Sequence, residues 1–128
     1  MAKRVRILHL IDNLEPGGAQ TRLLNDLVAI NKQDFFHVVG YLFGQGTLAG
    51  VLRVQGIEVF DLKFRRAVDS QGIRNLASLI KRVSPDIVHT QVFFADIIGR
   101  VVGRYCRVPH IVSTIQSSTY EPNNKYLY

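Results

Sequence analysis

Apolar and polar positions follow two different rhythms along this chain. Short apolar runs, typical of buried strands, are separated by longer segments in which apolar residues recur every three or four positions, as on one face of a helix. The runs predict five strands, at residues 5–11, 35–43, 57–62, 86–91 and 110–115. The periodic segments predict four helices between them, the first from about residue 19 to residue 31.

Turn and cap residues mark the ends of several predicted helices. Gly56 has the position of a C-terminal cap for the short second helix. Asp69 or Ser70 is expected to cap the third helix, which Pro85 brings to an end. The fourth helix carries a near-complete apolar stripe, formed by Phe94, Ile97, Ile98, Val101, Val102 and Tyr105. Its Gly99 and Gly103 would allow it to lie close to the sheet.

The predicted order, strand and helix in strict alternation, indicates an α/β fold. It is typical of a three-layer, Rossmann-like, doubly wound parallel sheet with helices on both faces. Ligands of such sheets bind beyond the carboxyl ends of the strands, near the point where the strand order reverses. That edge should bring together residues 12–18, 44–46, 63–66, 91–94 and 116–120.

The stretch from residue 5 to residue 24 predicts a strand, a turn containing Gly17 and Gly18, and the start of a helix. Free N–H groups and the helix dipole make such a junction a site for anions, and glycine lets a phosphate approach the backbone closely. The turn has neither the G-x-G-x-x-G nor the P-loop pattern. The local sequence is compatible with either a simple tight turn or a phosphate-binding site. The expected position of this turn, at the middle of the ligand edge, favours the phosphate site.

Length and composition indicate one globular domain. The chain has 128 residues, of which 47% are hydrophobic and 20% charged. Its single cysteine, Cys106, excludes an internal disulfide and is expected to be a small buried hydrophobe. No Cys/His cluster suggests a metal. Neither a signal peptide nor a membrane span is predicted, so we expect a soluble, cytoplasmic chain.

The net charge of +6 and the isoelectric point of about 9.8 favour anionic partners. Nucleic acid binding would rest on charge alone, so we predict none. Peripheral association with the inner face of an anionic membrane is compatible with the basic groups. Lys63, Arg65 and Arg66 fall in a predicted loop after a strand, where binding groups often lie. A solvated loop is the alternative interpretation of these three residues.

Five pieces of the sequence, taken in order, resemble a known family. They read ILHLIDNLEPGGAQ, VVGYLFGQGTL, GIEVFDL, SPDIVHTQVFFADIIGR and VPHIVSTIQSS. The chain resembles the N-terminal domain of retaining glycosyltransferases of family 4, of the GT-B type. The resemblance implies two Rossmann-like domains, with the hydroxyl acceptor held by the first and the nucleoside diphosphate sugar by the second. It also implies that Gly17 and Gly18 contact the donor diphosphate.

The resemblance suggests further site residues, with two departures. The T-x-H pattern of many members reads Thr114-Ile115-Gln116 here, so Gln116 stands where a histidine is frequent near the transferred sugar. The H-T-H pattern that is frequent in the family after the fourth strand reads His89-Thr90-Gln91 here, so His89 matches the first histidine and Gln91 replaces the second. A glutamine binds a hydroxyl group but carries no charge. The acceptor-side candidates are Asn13, Lys63, Arg65, Arg66, His89, Gln91 and Gln116.

The paired glutamates of the family, E-x7-E, lie in its second domain and have no counterpart here. We therefore expect an incomplete N-terminal half that is inactive without the donor domain. The implied reaction moves a sugar to a hydroxyl acceptor with retention and requires no metal or cofactor besides the nucleotide sugar. The alternative is a non-catalytic binding or self-assembling module, in which exposed surfaces pair with another copy. A receiver-like phosphate sensor is disfavoured because Asp12 stands almost alone among the acids expected at the strand ends.

Overall fold

The computed structural model describes residues 4–30, 33–66 and 68–114. Strands and helices alternate throughout this part of the chain. The strands are β1 (Val5–Ile11), β2 (Phe35–Tyr41), β3 (Glu58–Asp61), β4 (Ile87–Gln91) and β5 (His110–Thr114). The helices are α1 (Gly18–Ala29), α2 (Ala49–Val54), α3 (Ser70–Val83) and α4 (Phe93–Tyr105).

The five strands form one parallel sheet in the order β3-β2-β1-β4-β5. Helices α1 and α2 pack on one face, and α3 and α4 pack on the other. This arrangement confirms the predicted doubly wound, Rossmann-like fold. β1 is the central strand, and the chain changes direction across the sheet between β1 and β4. The turn after β1, which contains the two glycines, therefore lies at the switch point of the ligand edge.

Alternation along β1 divides the core into two layers. Leu8 and Leu10 are fully buried against the layer of α3 and α4, and Ile11 is fully buried in the layer of α1 and α2. His9 also lies on the α1 side, because neighbouring residues of a strand point to opposite faces. A histidine in the middle of the central strand is thus surrounded by the sheet and by α1.

Local signals fix most of the element ends. Asp69 caps α3 by accepting hydrogen bonds from the N–H groups of Gln71 and Gly72, at 3.0 and 3.4 Å. Gly56 has φ +82°, the left-handed conformation expected of a residue that ends a helix. β3 is shorter than the predicted run of residues 57–62, although Ile57 and Leu62 are still buried. Burial and strand pairing are separate properties, so an apolar run overestimates the length of an edge strand.

Helix α4 lies very close to the sheet because of its glycines. A Cβ placed on Gly99 would lie 2.5 Å from the Thr90 methyl carbon and 3.1 Å from a Leu10 methyl carbon. A Cβ placed on Gly103 would lie 3.0 Å from Ile111. Real Cβ atoms do not approach to 2.5 Å, so only glycine fits at residue 99 without a shift of the helix.

Substitution of Gly99 by alanine should therefore destabilise the protein by about 1–2 kcal/mol, because the added methyl group overpacks the contact with Thr90. The control is Gly50→Ala on α2, where a Cβ meets nothing within 4 Å. There alanine should stabilise by about 0.5–1 kcal/mol through helix propensity. Urea denaturation of both variants gives the comparison, and equal effects at the two positions would contradict the close packing.

Candidate functional site

Helix α1 begins with an open N-terminus. Its N-cap, Gly17, is extended at φ 179° and ψ 175°, and as a glycine it has no side chain that could cap the helix. The first turn contains no acidic residue. A Cβ on Gly18 would meet nothing within 4 Å, whereas a Cβ on Gly17 would lie 2.6 Å from the side-chain oxygen of Gln20. Backbone N–H groups and the positive end of the helix dipole are thus available to an anion.

The two other long helices have their N-termini occupied by carboxylates. Asp12, which follows β1, accepts a hydrogen bond from the N–H of Ala95 at 2.6 Å and one from that of Phe94 at 3.3 Å. Asp12 thereby caps α4, as Asp69 caps α3. Burial raises the pKa of Asp12, while the two N–H groups act against that rise. Among the long helices in the described residues, α1 is the one left open for a ligand.

The turn before α1 is held in shape by side chains. The Asn13 amide oxygen accepts hydrogen bonds from the N–H of Glu15 and from the side-chain amide of Gln20, both at 3.0 Å. The Glu15 carboxylate accepts from the N–H of Gln45 at 3.2 Å and from the Thr47 hydroxyl. The hydroxyl of Thr47 is the main cause that lowers the pKa of Glu15. Asn13, an acceptor-side candidate, therefore shapes the glycine turn.

The predicted basic loop follows β3 at the same edge of the sheet. Lys63 has φ +56°, and its N–H donates to the Asp61 carboxylate at 2.8 Å. The side chain of Arg65 is 80% exposed and lies 3.4 Å from Asp69, an ion pair of small energetic value at such exposure. Arg66 is exposed as well. The three cationic side chains stay available to an anionic ligand, two strands away from the glycine turn.

A row of phenylalanines at this edge was not predicted from the sequence. Phe43 contacts Phe64 and Phe94 edge to face, with ring centroids 6.1 and 5.8 Å apart, and Phe94 contacts Phe93 at 5.3 Å. Phe64 is buried, whereas Phe93 is 66% exposed. Each of the four rings lies just beyond the end of β2, β3 or β4. That shared position is the signal in the sequence that could have revealed them.

Three histidines form a hydrogen-bonded chain across the sheet beneath α1. The Nδ1 atoms of His9 and His89 are 2.9 Å apart, and His9 Nε2 is 2.9 Å from His37 Nδ1. His89 Nε2 continues the chain to the hydroxyl of Thr114. A neutral imidazole has one N–H donor and one acceptor nitrogen, so neutral rings satisfy every link of this chain. His89 is thus engaged inside the sheet, away from the open ligand edge.

Burial is the largest cause that lowers the pKa of His9 well below its usual value, and the neighbouring His89 and His37 add to the effect. Burial also lowers the pKa of His89, although the charge of Asp26 acts in the opposite direction. A largely apolar cavity of about 430 Å³ borders His9, His89 and Asp26. This cavity lies on the face of the sheet rather than at the ligand edge.

The structure describes one of the two glutamine candidates, Gln91. Gln91 ends β4 and is 2% exposed, and its side-chain oxygen has no hydrogen-bond partner among the described residues. Gln116 lies outside the described residues. The structure therefore brings Gly17, Gly18 and Asn13 together in one turn, and it places the basic loop farther along the same edge.

Comparison of the sequence with family models and with curated proteins gives no match. Comparison of the fold with solved structures does. UDP-GlcNAc 2-epimerase from Neisseria meningitidis, bound to UDP-GlcNAc, superimposes with a TM-score of 0.58 and 17% identity, over 96% of this chain and 38% of that one. A second UDP-N-acetylglucosamine 2-epimerase structure gives a TM-score of 0.58 and 19% identity, over 98% and 35%. These likenesses confirm the Rossmann-like fold, and the chain spans little more than a third of either protein.

Proposed function

We propose that this chain binds the diphosphate of a nucleoside diphosphate sugar at the open N-terminus of α1. The observation that carries the proposal is the contrast between the helix ends. Carboxylates cap the N-termini of α3 and α4. The N-terminus of α1, with Gly17 and Gly18, has no such cap and lies at the switch point of the sheet. A diphosphate would accept hydrogen bonds from the free N–H groups and would interact favourably with the helix dipole.

The fold comparisons support the same ligand class. Both matched proteins are named for UDP-N-acetylglucosamine, and one was solved with that nucleotide sugar bound. They are similar to nearly the whole of this chain in fold. A UDP-sugar is therefore the first ligand to test. Comparison of UDP with GDP then measures whether the site discriminates between uracil and guanine.

The finer proposal is that the chain is the acceptor-side half of a GT-B glycosyltransferase that retains configuration. In such an enzyme the glycine turn would stabilise negative charge on the departing diphosphate, which is electrostatic preorganisation. Lys63, Arg65 and Arg66 would attract an anionic acceptor, and Gln91 and Gln116 would offer amide groups to sugar hydroxyls. The donor domain would supply the remaining contacts, so this half alone would bind without transferring sugar.

Isothermal titration with UDP, UDP-GlcNAc and GDP tests the binding proposal. Gly18→Val should weaken UDP binding about tenfold, because the side chain fills the space in front of the free N–H groups; this equals about 1.4 kcal/mol. The matched control is Gly50→Val, since both glycines have open space around a Cβ and lie at helix starts. Absence of saturable binding at millimolar ligand, or equal affinity of the two variants, would refute the diphosphate site.

A further inference from the structure

The outer side of α4 carries a row of exposed, large apolar side chains, here called the α4 ridge: Phe93, Ile97, Val101 and Tyr105. Their exposed fractions are 66%, 48%, 65% and 83%. They recur every four residues and so follow one side of the helix over its whole length of roughly 18 Å. Isolated exposed apolar residues are ordinary, but a continuous row of four is typical of an interaction surface.

The ridge exists because small residues occupy the inner side of the helix. Ala95, Gly99 and Gly103 face the sheet at close contact and are buried. A helix that is apolar on both sides is usually buried on both sides. In the described part of the chain, however, no element covers the ridge. The sequence predicts an apolar stripe on this helix, and the structure shows that the four side chains of the α4 ridge face outward.

The charges around the ridge are almost entirely positive. Helices α3 and α4, which cover this face of the sheet, carry the exposed cations Arg74, Lys81, Arg82, Arg100 and Arg104. Their one acid, Asp96, accepts hydrogen bonds from Thr90, Arg100 and Ser113. Its charge is therefore partly engaged within this protein. The face combines an apolar ridge with an excess of basic groups.

We propose that the α4 ridge docks on the surface of an anionic lipid bilayer. The apolar side chains would enter the headgroup boundary, and the basic residues of α3 and α4 would attract the lipid phosphates. An aromatic residue lies at each end of the ridge, a position suited to the membrane interface. None of the helices in the described residues is long and apolar enough to cross a bilayer. The proposed contact is with the bilayer surface.

Charge also distinguishes a bilayer from a second copy of this chain. Packing two ridges against each other would bring two strongly basic faces together, because each copy presents the same cations. Repulsion between the two basic faces would oppose such a dimer, whereas an anionic bilayer attracts a basic face. The proposal concerns a face of the molecule that the diphosphate site does not use, so it stands independently of the proposed function.

Vesicle co-sedimentation tests the proposal with the whole chain. Vesicles of phosphatidylcholine with about one-third phosphatidylglycerol should bind the protein. Pure phosphatidylcholine should bind it roughly tenfold more weakly, because it lacks the net negative charge that attracts Arg and Lys side chains. The double variant Ile97→Ser, Val101→Ser should lose roughly tenfold in affinity for the anionic vesicles.

The matched control is Val51→Ser, Val54→Ser on α2, whose side chains are 50% and 85% exposed on the opposite side of the sheet. This control should bind vesicles like the unchanged chain. Arg104→Gln should weaken binding several-fold at low salt and less at high salt. Equal binding by the ridge variant and the control would overturn the proposal. So would a dimer that light scattering detects without lipid and that the ridge variant abolishes.

Discussion

Acidification from pH 7.5 to pH 5 should destabilise this protein through His9, with a further contribution from His89. A histidine that stays neutral in the folded state contributes at most about 2 kcal/mol over this range. Both imidazoles have a lowered pKa in the folded state, chiefly because burial disfavours the charged form. In the unfolded chain a histidine takes up a proton near pH 6.5. Below that pH the unfolded state binds more protons than the folded state, so the free energy of unfolding falls as the pH falls.

The hydrogen-bonded chain increases this sensitivity. Neutral rings satisfy all the links from His37 through His9 and His89 to Thr114. One added proton converts an acceptor nitrogen into a donor, and a second would place two donors face to face. The lowered pKa values of Glu15 and Asp69 place these carboxylates below this pH window, since their ordinary values are 4.5 and 3.8. The pKa of Asp12 is raised, so this carboxylate acts in the opposite direction and stabilises the fold as the pH falls.

Urea denaturation between pH 8 and pH 5 measures the effect, and the chain offers an internal control. His110 is exposed, unlike the three histidines beneath α1. His110→Gln should leave the slope of stability against pH unchanged, whereas His89→Gln should reduce it. Titration by NMR should show the pKa values of His9 and His89 below the ordinary value of 6.5. A slope that disappears in His110→Gln and persists in His89→Gln would contradict the buried chain as its source.

Asp12→Ala should destabilise the protein by about 2–3 kcal/mol, because it removes the acceptor for two N–H groups at the start of α4. The N–H of Ala95 belongs to a fully buried residue and donates to Asp12 at 2.6 Å. Water does not readily replace the carboxylate there, so the donor would stay unsatisfied. The result would show that the conspicuous acid beside the glycine turn supports the fold.

Two further variants make the Asp12 measurement specific. Asp12→Asn keeps one acceptor oxygen for Ala95, so its loss of stability should lie between zero and that of Asp12→Ala. Glu58→Ala removes an exposed carboxylate on β3 and should change stability by no more than about 0.5 kcal/mol. Stabilities are compared by urea denaturation at pH 7.5. A loss for Asp12→Ala no larger than for Glu58→Ala would show that the cap contributes little.

The sequence by itself determined the elements of this fold and their order. The elements are visible without a structure because their signals depend on neighbours along the chain. These signals are apolar runs for strands, helical periodicity for helices, and cap or breaker residues such as Gly56, Asp69 and Pro85. Strict alternation then implied a parallel sheet, and the first strand carried the glycine turn to its middle. The roles proposed for Gln91, Gln116 and the basic loop stay predictions.

Only the tertiary structure decided which helix ends are closed and where the titratable groups meet. Asp12 reaches α4 across 83 residues, and His9 reaches His89 across 80. Such contacts depend on strand order and on which face each side chain takes, and neither has a local signal in the sequence. The outward face of α4 was also decided by the tertiary structure. The sequence shows that Val101 is apolar, but only the packing of Gly99 against Thr90 turns Val101 outward.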